Sequence, residues 1–318
     1  MKRKALWKGS LVVLVAAAIA VAWFVPRQAS AVGTFTEDQL KEAAERMQAL
    51  KIVSGRTDGD LALGDSITRA EMVTMIVRAF GKEQQAALLK GAPSFEDVSA
   101  NSWASGYIAV AKQMVEENGQ VIGRTNSTFD PNGLLTAAEA EAFIMKFIGV
   151  SPKAGPKWPD NYIQGAVNAG LVTSEVGDYL NKIKNIPATR GQTFLFTDMG
   201  FSSKILEGGK SVYTTYIDTK PPTLTVDTKL PEISEEAKLT VSGTASDNDK
   251  VKVSIGGNVV EVGKDGKWTG TLELNTCGDT YKITAFDVAG NETTKEVTVK
   301  MTDKARSVAK KVYSCPAK

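Results

Sequence analysis

The chain has 318 residues, with 38 Lys and Arg against 36 Asp and Glu, a formal charge of +2, and no histidine. The missing imidazole excludes every catalytic triad, zinc site and acid–base scheme that depends on one. An apolar content of 42% and a charged content of 23% are ordinary for globular material, and this length suits two or more domains.

The first element in chain order reads as an export signal over residues 1–31. Lys2, Arg3, Lys4 and Lys8 form its positive start, Leu11 to Val25 its apolar stretch, and Ala29-Ser30-Ala31 a small-residue cleavage site. As an uncleaved anchor the apolar run is short of the ~20 residues a crossing needs, and the cleavage site favours removal. Cleavage takes away five basic groups and no acidic one, leaving 33 basic against 36 acidic residues, a net of −3. No dense basic face then remains to neutralise phosphates, which argues against a nucleic-acid partner.

Three copies of one short stretch follow: Ile67-Thr68-Arg69-Ala70-Glu71, Leu135-Thr136-Ala137-Ala138-Glu139 and Ala188-Thr189-Arg190-Gly191-Gln192. A threonine followed three residues on by Glu or Gln is a capping box, which predicts a helix start at each copy. Thr68, Glu71, Thr136, Glu139, Thr189 and Gln192 therefore read as caps before anything else. The cap does not explain Arg69 and Arg190, which sit where the helix dipole disfavours a cation. Reading back from the cap, Val53-Ser54-Gly55-Arg56-Thr57 lies over Val121-Ile122-Gly123-Arg124-Thr125. Reading forward, Met72, Met75, Ile76 and Phe80 share positions with Ala140, Phe143, Ile144 and Ile148, an apolar stripe at helical spacing. Each unit reads as helix, glycine-bearing turn, loop and capped helix, and such units must pack on one another to bury a face. The third is degenerate: Ser174-Glu175 stands where Gly-Arg is expected, its loop is longer, and Thr197-Asp198 interrupts the last stripe.

Residues 206–222 read as a linker. Short alternating runs then predict an all-β sandwich: Leu239 to Ser242, Val251 to Ile255, Val259 to Val262, Trp268 to Leu274, Tyr281 to Phe286 and Glu296 to Val299. Gly256-Gly257-Asn258, Lys264-Asp265-Gly266 and Ala289-Gly290-Asn291 supply turns. The only two cysteines, Cys277 and Cys315, fall here. In an exported chain an even pair reads as a disulfide, with two free thiols as the alternative. Residues 302–318 form a basic tail. Asp247-Asn248-Asp249 offers too few oxygens by itself for calcium, so no metal site is assigned.

The cap motif, with Phe95-Glu96-Asp97-Val98, Trp103-Ala104, Gly123 and the Phe129-Asp130-Pro131 loop, resembles the bacterial S-layer homology family over about half of the chain. The resembling units are residues 35–84, 93–152 and 156–205. Gly243-Thr244-Ala245-Ser246-Asp247 and Asp287-Val288-Ala289-Gly290-Asn291 make residues 223–301 similar to a bacterial immunoglobulin-like domain. These resemblances imply a multidomain fold, an all-α pseudo-threefold bundle followed by an all-β immunoglobulin-like sandwich. They also imply non-covalent anchoring of a secreted surface protein, its ligand an anionic secondary cell-wall polysaccharide, often pyruvylated, held in grooves between repeats. Carried over, Arg69 and Arg190 meet the carboxylate, since a guanidinium can bind one bidentately and cannot be titrated away. Thr68, Glu71, Thr189 and Gln192 shape the helix start. Asp97, Trp103, Trp158 and Asp160 are candidate groove walls.

Other readings stay open. Arg69 and Arg190 could be solvated or paired with a neighbouring repeat's carboxylate, and Trp103 and Trp158 could be core residues. Ala137 stands where the other copies carry Arg, so a groove depending on it should not hold a carboxylate in the same way. A two-carboxylate glycosidase is open on residue types alone. The repeats and the sandwich nevertheless use nearly all the folded length, so no enzyme and no cofactor is expected. The alternatives for function are a structural or accessory subunit of a surface lattice, an adhesin, and a peptidoglycan-binding or lytic protein.

Overall fold

A computed structural model of the protein describes residues 35–56, 59–248, 250–275 and 278–309. The expected signal segment, Cys277, Cys315 and most of the basic tail lie outside the described residues. Up to residue 202 these form eight helices: α1 (Glu37–Ala49), α2 (Arg69–Ala79), α3 (Glu83–Leu88), α4 (Ser105–Glu116), α5 (Ala137–Phe147), α6 (Asp160–Asn168), α7 (Ser174–Ile183) and α8 (Arg190–Ser202).

The three repeated motifs open α2, α5 and α8, each with a complete capping box. A fourth box, Thr36 with Gln39, opens α1. A box serves only the cap residue and the third helical position, so the first two N–H groups of each helix need other partners. Neighbouring units supply them. Arg69 and Ala70 donate to the carbonyls of Gly133 and Pro131, at 3.0 Å each. Ala137 and Ala138 donate to Ile186 and Lys184 at 3.2 and 3.3 Å, and Arg190 and Gly191 donate to Asp65 and Leu63 at 2.7 and 2.9 Å. Just ahead of the caps the three units close a cycle. Leu135 N–H bonds the Ile67 carbonyl (3.0 Å), Ile67 N–H that of Ala188 (3.4 Å), and Ala188 N–H that of Leu135 (2.8 Å). At Gly191 a Cβ would meet the Leu63 carbonyl at 3.1 Å and Leu40 Cδ1 at 3.3 Å, which accounts for glycine where the other units carry Ala70 and Ala138.

The apolar stripes of the capped helices share one core, with Met72, Ile76, Ile108, Ile144, Phe194 and Phe201 wholly buried. The third unit differs from its sequence reading in one place. The longer loop contains α7, capped by Thr173 and burying Val176 and Leu180. Thr197-Asp198 interrupts the stripe inside α8 without breaking the helix: Thr197 is buried, and the partly buried Asp198 lies 3.7 Å from Arg46 and accepts from the Tyr213 hydroxyl. The segment 206–222 is folded as well as connecting. A π-helical turn at Tyr213–Ile217 buries Tyr213 in the helical core and sets the Tyr216 ring 4.9 Å from that of Phe80.

Beyond residue 222 come β1 (Thr223–Leu224), β2 (Ile233–Ser234), β3 (Lys238–Ser246), β4 (Lys252–Ile255), β5 (Asn258–Glu261), β6 (Lys267–Glu273), β7 (Thr280–Phe286), β8 (Glu292–Thr298) and β9 (Lys300–Met301), then α9 (Asp303–Ala309). Two antiparallel sheets, ordered β1-β3-β6 and β5-β4-β7-β8, enclose a second core around Trp268, Val241, Val253, Leu272 and Ile283. The turn from β7 to β8 leaves that core: Val288 and Ala289 are buried in the helical one. Beside them Lys204 pairs with Glu292 at 3.0 Å and the Asn291 side-chain amide donates to the Asp218 carbonyl at 2.7 Å.

One core position breaks the pattern. Glu141 of α5 occupies the place of Val73 in α2 and Phe194 in α8, is 0% exposed, and has no hydrogen-bond partner for either oxygen. Burial pushes its carboxyl up to about 8, so it is protonated at neutral pH. The folded chain therefore holds a proton that the unfolded chain has released above about pH 4.5, and stability falls as pH rises from there to about 8. The slope is about 1.4 kcal/mol per pH unit. Glu141→Leu is expected to raise the unfolding midpoint and to remove this slope, measured by thermal melts between pH 5 and 9; equal slopes in parent and variant would count against the assignment.

Candidate ligand-binding junctions

Each capping glutamate has a second task. In the first junction, Oε2 of Glu139 accepts from Thr136 N–H at 2.9 Å, while Oε1 faces two arginines: Arg124 of its own unit, and Arg69 of the preceding one at 3.7 Å. Arg69 is 3% exposed. Its Nε donates to the Phe129 carbonyl at 2.8 Å and one Nη to that of Ile122 at 2.6 Å, with the guanidinium 4.9 and 5.0 Å from the rings of Phe129 and Phe143. Burial first, then the Arg124 charge, lowers its pKa to about 10, so it stays cationic at neutral pH. Asp97 receives the N–H groups of Phe129 and Asp130 at 2.8 and 2.7 Å, fixing the loop on which Arg69 closes.

The second junction repeats the plan. Glu71 accepts from Thr68 N–H at 2.8 Å through Oε2 and from Arg190 at 2.8 Å through Oε1, with Arg56 3.8 Å away. Arg190 is 5% exposed, and its Nε donates to the Leu61 carbonyl at 2.9 Å. Burial lowers its pKa, opposed by Glu71. Leu61 holds the repeat position of Phe129, so both motif arginines bond the same carbonyl of the neighbouring unit. A first-turn cation costs about 0.3–1 kcal/mol against the dipole, whereas each hydrogen bond from a charged group contributes about 1.5–3 kcal/mol. The clamp therefore outweighs the unfavourable position.

The third junction carries Ala137 in place of the motif arginine and Gln192 in place of the glutamate. Gln192 accepts from Thr189 N–H at 3.0 Å and donates to the Tyr179 hydroxyl at 3.0 Å. Arginine and glutamate have been lost together, as a buried pair requires: either alone would leave an uncompensated charge.

Sequence reasoning passed over the groups that face solvent. Arg124 and Arg56, which follow the glycines of the repeat, have side chains 40% and 48% exposed. Arg124 meets Asp130 at 3.3 Å and Arg56 meets Asp65 at 2.6 Å. Their signal was the superposed Gly55-Arg56 and Gly123-Arg124. Trp103 and Trp158, just ahead of α4 and α6, are 59% and 53% exposed, so the core reading does not hold for them. Trp158 packs its edge on Tyr162, and Asp160 beside it pairs with Lys184. Beside Gly123 opens a cavity of about 160 Å3 lined by Phe95, Lys112, Glu116 and Thr125.

Comparison with known proteins matches residues 222–303 to the family described as glucodextranase, domain B. The chain is 30% identical over 170 residues to the middle cell wall protein of Brevibacillus brevis, covering 53% of this chain and 15% of that one. It is 30% identical over 228 residues to a cell surface protein of Thermoanaerobacter kivui (71% and 27%) and 35% identical over 126 residues to a surface layer protein of Brevibacillus choshinensis (39% and 11%). The chain thus spans less than a third of the length of these relatives. Among solved structures the twitchin kinase region of C. elegans aligns at 11% identity and a TM-score of 0.20, over 82% of this chain and 46% of that one, too low to carry an argument. These relatives bear the names of cell-wall, cell-surface and surface-layer proteins. The chain is a secreted cell-surface protein. No helix among the described residues is long and apolar enough to cross a membrane.

Arg69→Ala leaves the Ile122 and Phe129 carbonyls without a donor and is expected to lower stability by about 3–5 kcal/mol. Arg124→Ala, on a half-exposed pair, should change it by no more than about 1 kcal/mol. Denaturant unfolding of the full chain measures both. In a double-mutant cycle, Arg190→Ala and Glu71→Gln are expected to couple by at least about 1 kcal/mol; strict additivity would show that the pair is not a unit.

Proposed function

We propose that the helical units, taken as one pseudo-threefold S-layer homology bundle, hold the protein non-covalently on the cell wall by binding an anionic secondary cell-wall polysaccharide. The observation that carries this reading is the half-exposed guanidinium at each charged junction, Arg124 at one and Arg56 at the other. Exposed ion pairs contribute only about 0–1 kcal/mol. An incoming carboxylate, such as that of a pyruvate ketal, can therefore replace Asp130 or Asp65 and bind the guanidinium through two parallel hydrogen bonds. Arg69 and Arg190 act behind this surface, setting Glu139 and Glu71 and the loops that carry the contact. Trp103 and Trp158 offer exposed apolar faces on which a sugar ring can stack. The third junction, with Ala137 and Gln192, lacks the cation and takes no carboxylate. The β region, read as an immunoglobulin-like module, serves as a spacer or as a surface for protein contacts.

Co-sedimentation of the full chain with cell walls, before and after acid extraction of the non-peptidoglycan polymer, tests the reading. Binding is expected to vanish with the polymer and to weaken about tenfold with Arg56→Ala or Arg124→Ala, the equivalent of ~1.4 kcal/mol each. Undiminished retention on extracted walls would sink the mechanism and point to peptidoglycan instead.

A further inference from the structure

Two packed helices of the bundle carry buried polar atoms that nothing satisfies. Glu141 of α5 and Thr197 of α8 are each 0% exposed, and neither the two carboxyl oxygens of the one nor Oγ1 of the other has a hydrogen-bond partner. The helices start side by side, where Ala188 N–H bonds the Leu135 carbonyl. They meet again further along, where a Cβ on Gly200 would press on Ile144 Cγ2 at 2.6 Å. Glu141 and Thr197 stand one turn before Ile144 and Gly200, on the faces that pack together. The other two units place Val73 and Phe194 at the position of Glu141, so the repeat itself has no need of an acid there.

A carboxyl group so placed is stable only while it holds its proton. No cation is at hand to take the proton's place. α5 packs against α2, α4, α6, α7 and α8, and the charged groups of those helices are engaged elsewhere or exposed. On α2, Arg69 serves Phe129, Ile122 and Glu139, Glu71 serves Arg190, and Arg78 serves Glu83. On α4, Lys112 pairs with Glu116, and the Tyr107 hydroxyl donates to Glu83. On α6, Asp160 pairs with Lys184, and burial raises the Tyr162 phenol. On α7, Glu175, Asp178 and Lys182 are exposed and Tyr179 accepts from Gln192; on α8, Asp198 lies with Arg46. Within α5, Lys146 donates to the Val121 carbonyl. Burial is accordingly the one cause that raises the Glu141 carboxyl to about 8.

We infer that Glu141 is a proton-operated latch: protonated, it keeps α5 packed in the bundle, and ionised, it frees the start of α5 and opens the junction where Arg69 and Arg124 converge. Glu139 is the link, two residues earlier on the same helix. Its Oε2 caps α5 and its Oε1 faces both arginines. A Glu141 carboxylate reaches water only if α5 shifts away from its neighbours, and Glu139 shifts with it. The bonds from Ala137 and Ala138 N–H to Ile186 and Lys184 are disturbed as well. The released proton passes to solvent. The consequence is a protein that leaves the wall as its surroundings turn alkaline. That consequence rests on the anchoring reading; the latch itself does not.

Co-sedimentation of the full chain with cell walls at about pH 7 and pH 9, beside amide hydrogen exchange of the free chain at both, tests the latch in parent, Glu141→Gln and Glu141→Leu. Parent retention is expected to weaken about tenfold, as the protonated share of a group at about 8 does between these values. Both variants should keep theirs. At the higher pH the peptides spanning residues 67–75 and 135–145 should exchange at least about fivefold faster in the parent than in either variant. Arg69, at about 10, stays mainly cationic throughout, and Lys146 is common to all three chains. Retention lost equally from all three would place the titration elsewhere and overturn the latch. So would a parent retained alike at both pH values, or exchange at the higher pH that is the same in all three. If no chain binds walls at the lower pH, the anchoring reading fails and the exchange comparison alone decides the latch.

Discussion

The first two backbone N–H groups of an α-helix have no partner inside the helix, and a buried helix start must find one elsewhere. In this protein that requirement joins the repeated units. Each of α2, α5 and α8 lends its first two donors to carbonyls of a neighbouring loop, and three further bonds close the cycle among Ile67, Leu135 and Ala188. No unit completes its own helix start, which is the physical reason such a unit does not stand alone. Gly191 shows how close the approach is, since a single Cβ would press on the Leu63 carbonyl.

The arginine of the motif follows from the same joint. It is the side chain that reaches from the helix start across to the neighbouring unit, where it bonds a carbonyl and meets the capping glutamate. The glutamate thus caps its own helix with one oxygen and holds a foreign arginine with the other. The repeat of this device at two junctions, and its joint loss at the third, make it one unit of two residues. With the buried arginine and glutamate fixed, Arg56 and Arg124 are the half-exposed arginines of these two junctions.

The helical and β regions are not beads on a string. Tyr213 and Val212 from the connecting segment, and Val288 and Ala289 from the far turn, all lie in the helical core. The β region therefore has a defined attitude to the helical units through a packed joint.

Local interactions were legible in the residues. A capping box spans three positions, so Thr68, Thr136 and Thr189 announced their helices, and the alternating runs announced β3 to β8 with turns at Gly256 and Gly266. Val176, Leu180 and Ile183 carry the amphipathic spacing of α7 in the segment that the sequence reading takes as a longer loop. The pattern further showed that Arg69 and Arg190 answered to something other than their own helices, and left open whether that was a ligand or a neighbouring carboxylate. Tertiary structure adds what they bond within the chain: Arg69 donates to carbonyls 53 and 60 residues away, and Arg190 to a carboxylate 119 residues away. The same holds for the exposure of Trp103 and Trp158. Sequence determines what each residue can bond within a helical turn or a hairpin, because chain geometry fixes those distances. Which distant groups share a site is set only when the units pack, and there the function of this protein is built.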